Sequence, residues 1–183
     1  MAVLEGSTHE LQCGAVITIR TATENDAEAL LACTNAYIAD NDGQVWDPAE
    51  FQFSLEQELE WIASLKRNPS ELLLIAETDG KVIGNIDFQV GKRTRLAHSG
   101  ELGLAVSKEW RSLGVGAVLM DVLMRWAKDN PAIEKVNLRV LNTNERAIRL
   151  YRKFGFQVNG RMPREIKYAD EGYADVVLMS RFV

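Results

Sequence analysis

Cysteine, long apolar runs and positive charge are all scarce in this sequence. Its two cysteines, Cys13 and Cys33, form neither a CxxC pair nor a cluster with the spacing of metal ligands. No apolar run approaches the roughly 20 residues that a membrane helix needs. Residues 1–13 lack the basic start and the apolar segment of a secretion signal. We therefore expect a cytoplasmic protein with free thiols, no metal and no membrane partner.

Positively charged residues are too few for a general nucleic-acid surface. The chain has 21 Lys and Arg against 26 Asp and Glu, and an acidic chain is a poor match for phosphate backbones. Its 183 residues suffice for one domain with a sizeable core but are short for two. Residues 1–14 mix small and polar types without a period. We therefore predict a loose, flexible N-terminal tail followed by a single domain over residues 15–183.

The periodicity of the sequence predicts a mixed sheet with helices on its faces. Helices are expected after the N-cap Thr23, after the capping box of Ser54 and Gln57, and over residues 115–128 and 144–154. Alternating or short apolar runs predict strands at residues 16–20, 72–76, 82–88, 101–106, 136–140, 156–158 and 173–180. The order β-α-α-β-β-β-α-β-α-β-β indicates an α/β or α+β layered domain.

The turn that follows the strand ending near Val106 has the features of a phosphate site. A helix begins near Gly114, and a helix N-terminus offers unpaired N–H donors and a partial positive charge. Glycine at positions 114 and 116 lets a ligand approach the backbone closely, and Arg111 adds a full charge beside the site. The third glycine of the dinucleotide fingerprint and the Gly-Lys-Ser/Thr of a Walker loop are both missing.

Two blocks of the sequence resemble the GNAT superfamily of N-acetyltransferases. Arg111, Gly114 and Gly116 match its signature Arg/Gln-x-x-Gly-x-Gly/Ala, and residues 144–156 are similar to its second block, Asn-x-x-Ala-x-x-Leu-Tyr-x-x-x-Gly-Phe. The resemblance covers residues 16–182 and is strongest over 101–156. It implies a mixed, mostly antiparallel sheet of about seven strands with about four helices. That sheet is splayed between the strands that end at Val106 and Val140.

The resemblance also implies a site for acetyl-CoA as co-substrate. The pantetheine arm would lie along Leu104, Ala105 and Val106, and Val106 or Ala105 would give an N–H to the thioester oxygen. Arg111 would stand beside the phosphates, which would take backbone N–H donors from Ser112, Leu113, Gly114, Val115, Gly116 and Ala117. Asn144 would hold the pantetheine, and it would also serve as the N-cap of its helix.

Catalytic roles follow from the same resemblance. Tyr151 matches the family's general acid, and a phenol with a pKa near 10 is protonated at neutral pH; without the resemblance it reads as a packed aromatic. Some relatives carry a glutamate base five residues before the asparagine, where this chain has Arg139. Glu101 matches the base of other relatives and would act directly or through a water, or else it is a solvated strand residue. His98 is a second candidate for the base.

The acceptor is the least defined part of the prediction. The family places it near residues 37–53, which include Tyr37, Trp46 and Phe51, and near a loop that contains Arg164, Lys167 and Tyr168. These aromatics either line a pocket or fill the core, and the two cations either bind a substrate carboxylate or lie on the surface.

The sequence-based prediction is therefore an acetyl-CoA-dependent N-acetyltransferase that works by direct transfer in a ternary complex. The acceptor would be a primary amine of an amino acid, of a small amine or of a protein N-terminus. The C-terminal part of this sequence resembles that of family members with these acceptors, at Gly160, Gly172-Tyr173, Asp175 and Met179. The alternatives are an acyltransferase that uses another acyl-CoA, such as succinyl-CoA, and a non-catalytic acyl-CoA sensor. Many relatives form dimers, so the resemblance makes a homodimer possible, while the sequence itself leaves the oligomeric state open.

Overall fold

A computed structural model describes residues 1–40, 53–168 and 172–183. The strands are β1 (Ser7–Glu10), β2 (Val16–Thr21), β3 (Leu72–Thr78), β4 (Lys81–Val90), β5 (Ser99–Val106), β6 (Lys135–Leu141), β7 (Gln157–Tyr168) and β8 (Gly172–Phe182). The helices are α1 (Ala27–Ala39), α2 (Leu55–Lys66), α3 (Val115–Asp129) and α4 (Glu145–Lys153).

All eight of these strands belong to one sheet in the order β1-β2-β3-β4-β5-β6-β8-β7. Every neighbouring pair is antiparallel except β5 and β6, which are parallel. The expected mixed, mostly antiparallel sheet with four helices is confirmed. The described residues contain one strand more than the expected seven, because β1 was not predicted.

The first residues of the chain pack on the domain, so the prediction of a loose tail is wrong for them. Strand β1 pairs with β2 from Ser7↔Ile19 to Glu10↔Val16. Leu11 is 4% exposed and belongs to the main core. The amino group of Met1 donates to the carbonyl of Leu65 at 2.6 Å. Because β1 is short and polar, its pairing depends on backbone hydrogen bonds that no apolar pattern announces.

The core lies on both faces of the sheet. Leu72 and Leu74 of β3 pack in the main cluster with α3, whereas Leu73 and Ile75 pack in a second cluster with α1 and α2. A strand that is covered on both sides reads as a continuous apolar run, as this one does. The capping box predicted at the start of α2 is confirmed: the Gln57 N–H donates to Ser54 Oγ at 3.2 Å, and the Ser54 N–H donates to Gln57 Oε1 at 2.8 Å.

The last hairpin is longer than predicted. The loop expected near Arg164 is instead part of β7, which pairs with β8 as far as Tyr168↔Gly172. The ladder is irregular between Met162 and Ile166, and Arg164 has a φ of 55°. Proline removes a backbone donor and is tolerated on an edge strand such as β7, so Pro163 masked the strand in the sequence.

The sheet splays open between β5 and β6. These strands pair at only three positions, and the last is Glu101↔Asn137. Beyond it, β5 stays paired with β4 as far as Val106, and β6 stays paired with β8 as far as Leu141. The expected wedge between the strand ends is therefore present.

Candidate active site

A cavity of about 790 Å³ fills the wedge, a size that suits a cofactor site. Its walls come from α1, β5, the turn after β5, β6, α4, β7 and β8. Most of the predicted site residues line it, and these are Glu101, Leu104, Val106, Arg111, Ser112, Gly114, Gly116, Ala117, Asn144 and Tyr151. Ala105, Leu113 and Val115 are not among its lining residues. Val115 is buried in the main core, and Leu113 packs against that core.

Residues 111–116, here called the α3 turn, comprise the end of the segment after β5 and the first two residues of α3. Ser112 has a φ of 62° and Gly114 a φ of 105°, so two of its residues adopt left-handed conformations. The first helical bonds run from Ala117 and Val118 to the Gly114 carbonyl, at 3.0 Å each. Within the described parts of the chain, none of the backbone N–H groups of residues 112–116 makes a well-formed hydrogen bond. Successive open donors at a helix N-terminus form an anion site.

Arg111 holds the end of β5 against α1. Its side chain is only 7% exposed, and its Nε donates to the Val106 carbonyl at 2.9 Å. An Nη donates to Asp40 Oδ2 at 2.8 Å, and the guanidinium lies 5.4 Å from the centre of the Tyr37 ring. Arg111 lines the cavity as expected, but its charge is paired with Asp40 rather than standing alone beside the turn. No local pattern in the sequence announces a partner so distant along the chain.

The backbone of β5 presents alternate residues to the wedge. The Ser107 N–H donates to Ile83 on the β4 side, whereas the His98 carbonyl accepts from Glu134 on the β6 side. Backbone groups alternate in direction along a strand, so the N–H and C=O groups of the even-numbered residues of β5 point toward β6. The N–H of Val106 therefore faces the wedge, and that of Ala105 faces β4. Of the two predicted donors to a thioester oxygen, Val106 has the suitable orientation.

Tyr151 and Asn144 lie on the same side of α4, and both line the cavity. Tyr151 is 6% exposed, and its ring centre lies 6.0 Å from that of Phe156. Burial raises the pKa of the Tyr151 phenol above its usual range, and the nearby Tyr37 raises that pKa further. The phenol is therefore protonated at neutral pH and can donate. Asn144 also caps α4, because its Oδ1 accepts from the Ala147 N–H at 3.1 Å.

Of the two predicted bases, only Glu101 lines the cavity. It lies where β5 and β6 part, and its Oε1 is 3.3 Å from Nε of Arg139 on β6. Both side chains are about half exposed. His98 is exposed, lies just before β5 and is not part of the cavity wall. Glu101 is therefore the better placed of the two.

The predicted acceptor residues are only partly at the cavity. Tyr37 lines it, and Trp46 and Phe51 lie outside the described residues. Arg164 stacks on Tyr173, 4.0 Å from the ring centre. Tyr168 packs with a small cluster on β8, and Lys167 is exposed; neither these two nor Arg164 is part of the cavity wall.

Other residues of β7 take the place predicted for the last loop. Met162, Glu165 and Ile166 line the cavity from this strand. The irregularity between Met162 and Ile166 decides which side chains face inward. The sequence does not announce that irregularity, so these residues were missed.

The described ranges contain neither a cluster of metal ligands nor a membrane-spanning helix. There, no group of three or more His, Cys, Asp or Glu side chains is arranged to hold a metal ion. No helix within residues 1–40, 53–168 and 172–183 has the length and apolar character to cross a membrane.

Comparison with known proteins agrees with this geometry. Residues 30–156 match the model of the acetyltransferase (GNAT) family. The L-amino acid N-acetyltransferase AaaT of Escherichia coli (strain K12) is 29% identical over 121 residues, which are 66% of this chain and 74% of that relative.

Solved structures of the same family share the fold. An acetyltransferase of the GNAT family from Streptococcus pneumoniae has a TM-score of 0.87 at 25% identity, over 91% of this chain and 99% of the other. A GNAT superfamily phosphinothricin acetyltransferase from Sinorhizobium meliloti, in complex with acetyl-CoA, has a TM-score of 0.80 at 19% identity, over 91% and 88% of the two chains. The wedge, the open turn and the sequence match agree, and the chain belongs to the acetyltransferase (GNAT) family.

Proposed function

We propose that this chain, an acetyl-CoA-dependent N-acetyltransferase by its family, acetylates a primary amine by direct transfer in a ternary complex. The acceptor would be an amino acid, a small amine or a protein N-terminus. One observation carries the proposal: the α3 turn, whose N–H donors are open within the described residues, lines a wedge between two strand ends. A diphosphate needs donors of this kind, and an extended pantetheine arm needs the groove between the strands.

The cofactor would follow the wedge from the α3 turn inward. Its diphosphate would accept from the open N–H groups of residues 112–116, and not from the predicted Ala117, whose N–H donates to the Gly114 carbonyl. Asn144 would contact the pantetheine from the other wall. The backbone groups of Leu104 and Val106 point into the wedge and would pair with the arm as a further strand does. This arrangement puts the thioester near the end of β5.

Three groups would then share the chemistry. The Val106 N–H would stabilise the negative charge that develops on the thioester oxygen. The Tyr151 phenol would donate a proton to the departing CoA sulfur, because burial keeps it protonated. A carboxylate would remove a proton from the acceptor ammonium, since only the neutral amine has a lone pair to attack with. Glu101 is the carboxylate that the sequence singles out for this task.

Direct transfer is favoured over an acyl-enzyme because neither cysteine suits the role of nucleophile. Cys33 is buried, its Sγ lies 3.4 Å from Ser107 Oγ, and burial raises the pKa of its thiol. A raised pKa lowers the fraction of reactive thiolate. Cys13 is exposed in the turn between β1 and β2, and neither cysteine lines the cavity.

Release of CoA thiol tests this proposal. Purified protein is incubated with acetyl-CoA and a panel of L-amino acids, aliphatic amines and peptides with free N-termini. Turnover with one of these amines is the expected result. Acetyl-CoA binding without turnover on any amine would support the sensor reading instead, and turnover only with succinyl-CoA would support another acyl donor.

Tyr151→Phe tests the general acid. We expect kcat to fall about 100-fold, because the departing thiolate loses its proton donor. The Kd for acetyl-CoA, measured by calorimetry, should stay within twofold of the original, since the ring remains in place. Tyr173→Phe is the matched control on β8, outside the cavity wall, and should be silent. Equal kcat for Tyr151→Phe and the unmodified protein would remove Tyr151 from the mechanism.

A further inference from the structure

Another carboxylate lies beside the cavity, on the neighbouring strand β4. Asp87 pairs with Gly103 of β5 in the antiparallel ladder. A Cβ atom on Gly103 would lie 2.5 Å from Asp87 Oδ1. The Asp87 carboxyl therefore occupies the space that a side chain at position 103 would fill. Gly103 is part of the cavity wall, so the carboxyl lies next to that wall, although Asp87 itself is not part of it.

Asp87 and Glu101 share a smaller pocket of about 310 Å³ next to the wedge. Its other lining residues are Gln89, Leu102 and Gly103. Glu101, Leu102 and Gly103 also line the main cavity, so the two spaces adjoin along this stretch of β5. An acceptor amine in the smaller pocket would have two carboxylates beside it and the thioester ahead of it.

Position along β5 separates the two carboxylates. At about 3.3 Å per residue, Glu101 lies about 16 Å before Val106, and Gly103 lies about 10 Å before it. The carboxyl of Asp87 overlies Gly103, so along β5 it lies nearer to Val106 than the backbone of Glu101 does. A general base must reach the reacting amine directly or through one water. The geometry favours Asp87 for that contact.

The surroundings of Asp87 suit proton exchange near neutral pH. Burial raises the pKa of its carboxyl to about 6, even though Gln89 Nε2 donates to it at 2.9 Å. The carboxylates of Glu101 on β5 and Glu71 before β3 also raise this pKa.

The other charged or titratable groups near the cavity lie elsewhere around it. Glu165 lines the cavity from β7, where its side chain is exposed. Arg139 on β6 lies against Glu101 rather than Asp87. Cys33 and Tyr37 are the titratable groups on the inward face of α1. Because its pKa is about 6, Asp87 is mostly ionised at pH 7 and is a stronger base than an ordinary carboxylate.

We propose that Asp87 is the catalytic residue that takes the proton from the acceptor ammonium, with Glu101 beside it as a second anion that attracts the amine. This inference rests on the proposed acetyl transfer. It moves the base from the residue that the sequence singles out to one that only strand pairing reveals.

The proposed step balances as follows. The ammonium gives one proton to Asp87, and the nitrogen lone pair attacks the thioester carbon to form a C–N bond. The C–S bond then breaks, and its electron pair leaves on sulfur, which takes a proton from Tyr151. The second nitrogen proton restores the phenol, and Asp87 releases its proton to solvent. The products are the N-acetyl amine, CoA thiol and one proton.

Asp87→Asn tests the assignment with the best amine found in the panel as the probe. We expect kcat at pH 7.5 to fall at least 100-fold while the acetyl-CoA Kd stays within twofold. The unmodified protein should lose kcat below about pH 6, and the residual rate of the variant should lack this acid limb. Glu101→Gln should raise KM more than it lowers kcat. Asp121→Asn, on the surface of α3, is the matched control and should be silent.

Several results would overturn the assignment. One is an Asp87→Asn variant whose kcat is within threefold of the unmodified protein and still falls below about pH 6. Another is a loss of this pH dependence in Glu101→Gln but not in Asp87→Asn. If the unmodified protein releases no CoA with any amine, the proposed function fails and this inference fails with it. If the unmodified protein acetylates an amine and Asp87→Asn does so at the same rate, the proposed function stands and Asp87 is not the base.

Gly103→Ala serves as a second probe in case Asp87→Asn does not fold. The new methyl would contact the Asp87 carboxyl and displace it without removing it. We expect kcat to fall at least tenfold with acetyl-CoA binding retained. Gly160→Ala is its control, because a Cβ there meets only Leu178 at an ordinary 3.8 Å. Equal rates for Gly103→Ala and Gly160→Ala would contradict the inference.

Discussion

Gly114 combines two requirements at one position of the α3 turn. Its φ of 105° is a conformation that side chains rarely adopt, and it is the N-cap of α3. Its carbonyl also accepts the first two helical hydrogen bonds. A change here alters the direction of the open N–H groups as well as the stability of the turn.

Gly114→Ala should show both effects. We expect a loss of about 1–2 kcal/mol in the free energy of unfolding, because a Cβ strains the left-handed backbone. A single misaligned donor to the diphosphate should raise the acetyl-CoA Kd about tenfold or more. Denaturant unfolding and calorimetry measure the two.

Gly80→Ala is the matched control for this substitution. Gly80 has a φ of 73° with nothing within 4 Å of its added Cβ, so the same strain arises in the hairpin between β3 and β4, outside the cavity wall. It should lose stability but keep the affinity. Equal loss of affinity in both variants would contradict a phosphate role for the α3 turn.

Individual site residues differ in how far the sequence could predict them. Tyr151 and Asn144 were placed together because seven residues span two turns of one helix. Asp40 and Asp87 were not, since their roles come from partners on other elements, Arg111 and Gly103. Such contacts depend on strand pairing and helix docking, which no local pattern records.

Among the elements, an ion network joins β2, the segment before α1, and β3. Arg20 donates to Asp26 Oδ1 at 2.7 Å and to Glu77 Oε2 at 2.8 Å. Asp26 is 8% exposed and also accepts from the Thr23 N–H. Arg20 is the main cause that lowers the pKa of Asp26, to about 2.

Asp26→Asn should therefore destabilise the protein in a pH-dependent way. A pKa that is lower in the folded state contributes stability above the unfolded value near 4 and loses it as the pH falls toward 2. We expect a loss of about 2 kcal/mol in the free energy of unfolding at pH 7, shrinking below pH 4. Urea unfolding across this range measures it, with exposed Glu60→Gln on α2 as the control. A loss that is constant with pH would contradict the ion-pair account.

Elements with strong internal periodicity were predicted well. The apolar positions of α3, among them Leu119, Met120 and Leu123, recur at helical spacing and are fully buried. Strand β1 and residues 159–168 of β7 were missed, because both are polar segments on the two edge strands of the sheet. Their pairing with β2 and β8 is a non-local contact, and their own residues carry no alternating pattern.

In the whole molecule, the N-terminal segment is part of the core that supports the cavity. Leu11 belongs to the main cluster, and its Cδ2 lies 3.6 Å from where a Cβ on Gly114 would be. The segment thus packs beside the α3 turn at the edge of the wedge.

Leu11→Ala tests this integration. We expect a loss of about 3 kcal/mol in the free energy of unfolding, which is typical of truncating a buried leucine. Val3→Ala is the control, because Val3 is 85% exposed and should change stability by less than about 0.5 kcal/mol. If both variants lost equally little free energy of unfolding, the N-terminal segment would be a loose tail after all.

The early end of the ladder between β5 and β6 has a consequence for the molecule as a whole. Past Glu101, the facing edges of β5 and β6 no longer pair with each other, so their N–H and C=O groups on this side are not used by the sheet. A ligand that hydrogen-bonds to both edges closes a gap in the middle of the sheet, so its binding energy adds to the resistance of the fold to unfolding. The cellular concentration of the acyl donor would then influence the lifetime of the folded protein as well as its turnover rate.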